Sequence, residues 1–292
     1  MKLLNKYING NYTVEIDDNG TKIRETNDNK YNADFPECID LKITNKCDMG
    51  CKYCHEDSTN EGLHGDLDVK FIDSLKPYTE LALGGGNVLF HPNLTDFLLK
   101  LKEKHIIANM TVNQYHFMQS KTLIEKLVKL DLIKGLGISL INPTEEFINE
   151  VKKYDNAVIH VINGIVSSKD LEKLYNNNLK LLILGYKEFR RGKTFYNFDV
   201  EKKKKEMYND IINVIKGFNT VSFDNLALKQ LDIKRLLSNK DWNEFYMGND
   251  GNFTMYIDLV NKKFAKNSIS EKRYDLLDNI EEMFNIIKSE EA

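Results

Sequence analysis

The stretch CIDLKITNKCDMGCKYC, residues 38–54, joins a strand-like apolar run at 38–44 to a short loop that holds three of the four cysteines. These are Cys47, Cys51 and Cys54, spaced C-x3-C-x2-C. A loop this short can turn three thiolates toward one inorganic centre, whereas an odd number of thiols cannot all pair in disulfides. A cubic [4Fe-4S] cluster ligated only by protein takes four cysteines. Three would leave one iron open to a ligand that is not protein.

Length and composition bound the class of protein. The chain has 292 residues, which suits a single α/β barrel, and 41% of them are hydrophobic, enough for a large core. The 41 basic and 44 acidic residues give a net charge of -3, which carries no strong nucleic-acid signal. No apolar run approaches the ~20 residues that span a bilayer, and the N-terminus lacks a signal-peptide pattern, so we expect a cytoplasmic protein without membrane contact. In a cytoplasmic chain, four cysteines favour metal binding or catalysis over disulfides.

From residue 38 to residue 190, short apolar runs alternate with stretches of helical apolar spacing. The runs predict strands at 38–44, 81–83, 106–112, 135–141, 158–162 and 179–184. The helical spacing predicts helices at 67–75, 94–104, 120–130, 144–153 (with Thr144 as a candidate cap) and 169–175. Such alternation is typical of a parallel sheet covered by helices. The predicted fold is α/β: a partial (β/α)6 TIM-like barrel with small antiparallel β additions at the N- and C-termini.

Residues 1–37 and 191–292 flank this barrel core (38–190) and carry a different pattern. The turn signals Asn9-Gly10 and Asn19-Gly20 predict an N-terminal antiparallel meander. The C-terminal part is predicted to pack on or cap the barrel. Its predicted elements are a polar loop at 189–193, a long helix at 200–216, a strand at 221–224, a hairpin of 242–247 with 253–260 around the turn 248–251, and a closing amphipathic helix at 272–288.

Polar and glycine residues occur at the ends of the predicted strands. In parallel α/β folds the functional loops follow the carboxyl ends of the strands. The cysteine loop follows the first strand. The groups at the ends of the other five are Gly84–Gly86; Thr111, Asn113 and Gln114; Ser139; Asn163 and Gly164; and Gly185–Lys187. We expect these groups to meet at one rim of the barrel, beside the cysteine loop.

The C-x3-C-x2-C spacing resembles the cluster motif of the radical SAM enzymes, and Tyr53 before the third cysteine fits its common form. The run Leu83–Asn87 (LGGGN) stands where those enzymes carry a Gly-Gly-Glu type motif. The resemblance covers about residues 38–190 and points to the group with molybdenum-cofactor and peptide-modifying members. The whole chain is also similar to uncharacterised radical SAM proteins of bacteria and their phages, in segments such as CHEDS (54–58) and GNFTMYIDLV (251–260).

This resemblance implies a single [4Fe-4S] cluster, ligated by Cys47, Cys51 and Cys54, whose open iron binds S-adenosylmethionine. It implies that one electron, from a donor such as a flavodoxin or ferredoxin, cleaves the cofactor to a 5′-deoxyadenosyl radical, which removes a hydrogen atom from a substrate. Cofactor contacts are implied for Tyr53, Gly84, Gly85, Gly86, Asn87, Asn113, Ser139, Asn163 and Tyr186. The sequence departs from the family at Asn87, where a Glu is usual, and at Val88, where a Pro is usual. Any role of that Glu side chain is therefore not carried over.

Simpler alternatives stay open for several of these residues. The three cysteines with His55 could form a structural zinc site, although a second C-x2-C unit is absent. Ser139 could be a satisfied core hydroxyl, Asn163-Gly164 an ordinary turn, and Tyr186 a packing residue. Cys38 begins the first strand, so we expect it to lie in the core, far from the cysteine loop.

The sequence leaves the substrate open among peptides, nucleotides and other small molecules. No cysteine follows residue 54, so we expect no second cysteine-ligated cluster, and about 37 residues before the first strand leave no room for a cobalamin domain. Residues 55–57 either orient the cluster loop, face the substrate or are solvated. Substrate selection is expected in the terminal additions, where the candidates by location are Tyr246, Asp250, Tyr256 and Asp258. A second class also stays open, a metal-binding scaffold or interaction protein without turnover, which Asn87 favours.

Overall fold

The computed structural model describes residues 2–18 and 20–290. The strands are β1 (Leu3–Asn9), β2 (Tyr12–Asp17), β3 (Lys22–Glu25), β4 (Cys38–Thr44), β5 (Glu80–Gly85), β6 (Ile107–Asn113), β7 (Gly135–Ser139), β8 (Ala157–Ile162), β9 (Lys180–Leu184), β10 (Thr220–Phe223), β11 (Thr254–Asp258), β12 (Lys263–Ala265) and β13 (Tyr274–Asp275). The α-helices are α1 (Leu94–Glu103), α2 (Gln114–Gln119), α3 (Lys121–Lys129), α4 (Glu145–Val151), α5 (Ser168–Glu172), α6 (Arg191–Phe195), α7 (Phe198–Gly217), α8 (Asn225–Gln230), α9 (Asn239–Phe245) and α10 (Ile280–Lys288). Within the described residues, no helix has the length and apolar character that crossing a bilayer requires.

The main sheet has ten strands in the order β10-β9-β8-β7-β6-β5-β4-β11-β12-β13. The strands from β10 to β11 run parallel to one another. The last two, β12 and β13, continue the sheet antiparallel. In the described chain β10 and β13 are the two ends of the sheet, so the barrel is open. The predicted α/β partial barrel with small antiparallel additions is confirmed.

The two faces of this sheet differ in chemistry. Because side chains alternate along a strand, residues at every second position share a face. The face that packs with the helices is apolar and buried, and includes Ile39, Leu41, Leu81, Leu83, Met110, Leu136, Ile159 and Leu181. The face toward the barrel interior carries small and polar residues, among them Asp40, Ala82, Asn109, Thr111, Gly137 and His160, together with apolar residues of β8 and β9, namely Val158, Ile162, Leu182 and Leu184. Two cavities lie against this face.

The N-terminal meander is confirmed as a separate antiparallel sheet, β1-β2-β3. Gly10 in the first turn has φ +61°, a conformation that favours glycine. Asn19, in the second predicted turn, lies outside the described residues. The meander is attached to the barrel through Lys22, whose ammonium lies 2.7 Å from the Glu80 carboxylate of β5. Arg24 binds the buried carboxylate of Glu37 just before β4, with Nε 2.9 Å from Oε1.

The predicted hairpin of 242–247 with 253–260 is wrong. Residues up to Phe245 belong to helix α9, and β11 pairs with β4 in parallel instead. The aromatic rings of Trp242 and Tyr246 stack with centroids 4.7 Å apart, which is a helical i,i+4 contact rather than strand alternation. Ser238 caps the helix by accepting from the Asp241 amide.

Three other local predictions also differ from the structure. The predicted helix at 67–75 is only a 3-10 turn, Lys70–Ser74. The predicted closing helix at 272–288 begins at Ile280, because Tyr274–Asp275 forms β13 and Asn279 caps the shorter helix. The predicted polar loop at 189–193 includes the start of α6.

Candidate metal and cofactor site

A pocket of about 190 Å³ lies at the carboxyl ends of β4 to β9. Its wall contains Cys47, Cys51 and Cys54, together with Gly84–Gly86 at the end of β5 and Ser139 at the end of β7. Parallel strands direct their carboxyl ends to one edge of the sheet, so segments distant in sequence meet there. Part of the predicted rim lines this pocket, namely Gly84–Gly86, Thr111, Asn113 and Ser139, whereas Gln114, Asn163, Gly164 and Gly185–Lys187 do not line it.

The cysteine loop is shaped by its own backbone and by the loop that follows it. The Cys47 amide donates to the Thr59 carbonyl at 2.7 Å, and the Cys54 amide donates to the Cys51 carbonyl at 3.2 Å. Burial raises the pKa of the Cys47 and Cys51 thiols, and the neighbouring thiols raise them further. Since metals bind the thiolate, loading a metal here would release protons.

Tyr53 of the cysteine loop and Arg191 at the start of α6 line the same side of the pocket. The Tyr53 hydroxyl is hydrogen-bonded to Cys51, and burial raises its pKa to about 12. Its ring lies 6.0 Å from that of Phe195. The Arg191 side chain reaches Asp57 at 3.3 Å and the Ser58 carbonyl. Both residues line the pocket, so α6 closes one side of it.

The first half of the cysteine loop is anchored by a histidine. His116, on α2 and almost completely buried, lies 2.6 Å through Nε2 from the Oδ1 atom of Asp48. Its ring also packs 5.7 Å from that of Phe90. This contact fixes the loop one residue after Cys47, so His116 is a positioning residue.

The second half of the loop is anchored by Glu56, two residues after Cys54. Its carboxylate is buried and accepts from the Tyr256 hydroxyl at 3.1 Å, and the Lys42 ammonium lies 2.9 Å from it. Burial opposes ionisation, but the hydrogen bond from His55 and the charge of Lys42 outweigh it and lower the pKa of Glu56. Strands β4 and β11 thus hold the end of the cysteine loop jointly.

Cationic side chains gather on the same side. Arg190 donates to the Glu56 carbonyl at 3.0 Å, and Lys187 lies 3.3 Å from His55 and 2.8 Å from the Ser268 hydroxyl. Burial lowers the pKa of His55 to about 4. Arg191, which lines the pocket, is the cation that acts on the Cys51 thiol, so it is placed to stabilise the negative charge of a thiolate-ligated cluster.

The triple glycine is required by close packing against the cysteine loop. A Cβ at Gly85 would stand 2.3 Å from the Thr44 carbonyl oxygen, and one at Gly86 would stand 2.3 Å from the Lys46 carbonyl oxygen. Gly85 also has φ +109°. Gly84 differs, because a Cβ there would meet nothing within 4 Å. Its backbone faces the open pocket, where a ligand can approach it closely.

The structure brings most of the predicted cofactor contacts together. The pocket wall contains Tyr53, Gly84, Gly85, Gly86, Asn113 and Ser139. The other three lie outside it. Asn87 is buried and caps the following turn by accepting from the Leu89 amide, Asn163 is buried and donates to Gln230, and the Tyr186 hydroxyl donates to the Gly192 carbonyl. Their contact with a cofactor stays a prediction.

Sequence reasoning missed the residues that hold the loop. Lys42, His116 and Arg190 lie far from the cysteines in sequence or inside another element, and no local motif marks them. Glu56 stands in the segment for which a loop-orienting role was one alternative. The sequence offers one signal, which is Lys42 within the apolar strand just before the cysteines. A lysine predicted to be buried there needs an acidic partner.

The donor set fits an iron–sulfur cluster. Three thiols on one pocket wall can each ligate a different iron of a cube, and the open backbone at Gly84 leaves room beside them. Among residues 2–18 and 20–290, no three His, Cys, Asp or Glu side chains converge on a point where one metal ion would sit. A cube does not require such convergence, since its irons are separate.

Comparisons with known proteins bear on the fold. No protein-family model matches the chain. The uncharacterised protein MJ0907 of Methanocaldococcus jannaschii is 23% identical over 206 residues, which are 61% of this chain and 68% of that protein.

Solved structures of Streptococcus suis SuiB are similar to this chain. SuiB bound to the precursor peptide SuiA has a TM-score of 0.56 at 15% identity, with 84% of this chain and 63% of that chain covered. SuiB bound to S-adenosylmethionine has a TM-score of 0.57 at 14% identity, with coverages of 83% and 64%. A third SuiB structure has a TM-score of 0.59 at 13% identity, with coverages of 94% and 84%. The chain spans less than two thirds of SuiB in the two liganded structures. The likeness shows a shared fold.

Proposed function

We propose that the chain is a radical SAM enzyme that reductively cleaves S-adenosylmethionine at a single [4Fe-4S] cluster to a 5′-deoxyadenosyl radical, which abstracts a hydrogen atom from a substrate. The observation that carries this proposal is the pocket in which the three motif thiols stand beside Gly84 and Ser139. The shared fold with SuiB, which has been solved with S-adenosylmethionine and with a precursor peptide, supports the cofactor and favours a peptide substrate.

The bound cluster and cofactor would supply the one-electron cleavage and the hydrogen-atom abstraction. The part of the chain is to bind and shield them. Cys47, Cys51 and Cys54 hold the cluster, and the Gly84 backbone with the Ser139 hydroxyl offers hydrogen bonds to a cofactor next to it. The pocket wall is completed by apolar side chains that exclude water, namely Val112, Leu140, Ile162, Ile165, Val166 and Leu184. We also propose a flavodoxin or ferredoxin as electron donor and a cytoplasmic location.

Anaerobic reconstitution tests the proposal. Protein incubated with iron and sulfide should acquire the broad absorption near about 400 nm of thiolate-bound iron–sulfur. Addition of S-adenosylmethionine and dithionite should then yield 5′-deoxyadenosine and methionine. An intact cluster without 5′-deoxyadenosine would leave a metal-binding scaffold as the function. Zinc in place of iron in anaerobically purified protein would contradict the cluster itself.

A further inference from the structure

Part of the wall of the cysteine pocket comes from the carboxyl ends of β8 and β9. Ile162 ends β8, Leu184 ends β9, and Ile165 and Val166 belong to the turn that follows β8. These four side chains are apolar and form no hydrogen bonds of their own. Their positions therefore depend on the backbone that carries them and on the groups that bind this backbone.

Side chains continue the pairing of β9 beyond the end of its neighbour β10. The last residue of β10, Phe223, lies opposite Ile183 of β9, and the chain then turns into α8. From here the carboxylate of Asp224 accepts from the Gly185 amide at 2.9 Å. Helix α8 lies directly on this part of the chain, since a Cβ at Gly185 would stand 2.4 Å from Leu226 Cγ. The end of β9 is thus held by α8 and not by a strand.

Gln230, the last residue of α8, binds the main chain of Tyr186 as a neighbouring strand would. Its Oε1 atom accepts from the Tyr186 amide at 2.9 Å, and its Nε2 atom donates to the Tyr186 carbonyl at 2.9 Å. A main-chain amide only donates and a main-chain carbonyl only accepts. These two bonds therefore fix the orientation of the Gln230 carboxamide, with its oxygen at the Tyr186 amide.

The same oxygen of Gln230 reaches the end of β8. It also accepts from Nδ2 of Asn163 at 3.1 Å. Asn163 is fully buried and begins the turn that carries Ile165 and Val166. Its main-chain amide donates to the Leu184 carbonyl at 2.8 Å. One carboxamide therefore joins the two strand ends that carry this part of the pocket wall.

Tyr186 connects Gln230 to a third part of the wall. The Tyr186 side chain is buried, and its hydroxyl donates to the Gly192 carbonyl at 2.7 Å. Gly192 follows Arg191, which begins α6 and lines the pocket. The contacts of Gln230 thus lead to the turn after β8, to the end of β9 and to the start of α6. Gln230 itself does not line the pocket, so it acts on a ligand there through these neighbours.

We propose that Gln230 is a positioning residue for the cofactor and that it sets the affinity for S-adenosylmethionine by holding the ends of β8 and β9. This role, which rests on the proposed function above, couples the C-terminal part of the chain to the cofactor site. The cysteine loop has other anchors, since Asp48 is bound by His116 and Glu56 by Lys42. Iron binding should therefore not depend on Gln230.

Calorimetric titration of iron-loaded protein with S-adenosylmethionine, under anaerobic conditions and without reductant, measures this affinity apart from turnover. Gln230→Met keeps the bulk of the side chain and removes its three hydrogen bonds. Gln230→Asn keeps the carboxamide but withdraws it by one methylene from Tyr186, and it is the milder of the two changes. Each variant should raise the Kd about tenfold or more. The control is Gln119→Met, which makes the same chemical change at an exposed position of α2 and should leave the Kd unchanged.

Two further measurements separate positioning of the cofactor from a general structural role. The iron content of the Gln230 variants, and their rate of 5′-deoxyadenosine formation with dithionite at saturating cofactor, should stay within about twofold of the wild type. An unchanged Kd in the folded variants, a loss of iron, or failure of both variants to fold would overturn the role of Gln230. Wild-type protein that has an intact cluster but does not bind S-adenosylmethionine would refute the proposed function instead.

Discussion

Lys42 and Glu56 form an ion pair that is almost completely removed from water, with side-chain exposures of 1% and 8%. Glu56→Ala would leave the Lys42 ammonium with Asp258 at 3.4 Å as its remaining acidic neighbour. Breaking a buried pair from one side costs about 3–5 kcal/mol, because the other charge stays buried. We expect a loss of that size in the free energy of unfolding of iron-free protein, measured with urea. Glu61→Ala, at an exposed loop position, should change it by less than about 0.5 kcal/mol. A loss below 1 kcal/mol for Glu56→Ala would show that Asp258 or water neutralises the Lys42 charge in place of Glu56.

The contact between Gly137 and the His160 imidazole can be tested by substitution. Gly137→Ala places a methyl group 2.2 Å from the imidazole, so the ring or the strand must move. Overpacking of this kind costs about 1–3 kcal/mol. Combined with His160→Ala, the same change should cost clearly less, because the obstructing ring is gone. A double-mutant cycle from thermal or urea unfolding measures the coupling between the two positions. If the two substitutions had additive effects on the unfolding free energy, the His160 imidazole would not contact position 137.

The pH dependence of stability should carry a contribution from His160. Burial lowers its pKa in the folded protein to about 4, from 6.5. Protonation therefore favours the unfolded chain, and the stabilisation present at neutral pH is lost as the pH falls from about 6.5 to about 4, by at most about 1.4 kcal/mol per unit. His160→Gln lacks this titration. The difference in unfolding free energy between wild type and variant should narrow over that interval, and a constant difference would contradict burial of the neutral ring.

The N-terminal cap of helix α4 is one local feature that the sequence predicts and the structure contains. The sequence predicts a cap at Thr144, and in the structure its hydroxyl accepts from the Phe147 amide at 3.3 Å. The ring of Phe147 then packs edge-on against Phe117 of α2 at 6.2 Å. Thr144→Ala should lower the free energy of unfolding by about 1 kcal/mol, because the amide loses its partner. Thr122→Ala, on the exposed face of α3, is the control, and equal losses in the two variants would argue against the cap.

The elements that the sequence predicts well are those whose signals are local. The strand at 38–44 has the predicted bounds, since an apolar alternation ends at the polar cysteine loop. Residues 242–247 fail because aromatic and polar residues there fit either period, and only the helical contact of Trp242 with Tyr246 decides between them. The parallel pairing of β11 with β4 joins residues more than 200 positions apart. No local pattern indicates that β11 returns beside the first barrel strand.

In the candidate site, too, some features follow from the sequence and others depend on long-range contacts. Its rim follows from parallel topology, because the ends of successive strands must meet once the fold is α/β. The anchors of the cysteine loop do not follow, since the partners of Glu56 come from β4 and β11 and that of Asp48 comes from α2.

At the scale of the whole molecule, the cysteine loop should be separable from the stability of the barrel. Its three cysteines are partly buried, and the loop is held by backbone bonds and by Asp48 and Glu56 rather than by the thiols. Replacing all three cysteines with Ser should abolish iron binding and the absorption near about 400 nm. The unfolding free energy of the iron-free protein should stay within about 1 kcal/mol of the wild type.

Iron should then stabilise only the protein that can bind it. A ligand that binds the folded chain alone raises the melting temperature by mass action, so reconstituted wild type should melt higher than its iron-free form, and the triple variant should not respond. Cys38→Ala is the matched control, because Cys38 lies at the amino end of β4, at the opposite end of the strand from the loop, and its loss should leave the iron content unchanged. If the triple variant retained iron, or if Cys38→Ala lost it, the metal site would not be the loop between Cys47 and Cys54.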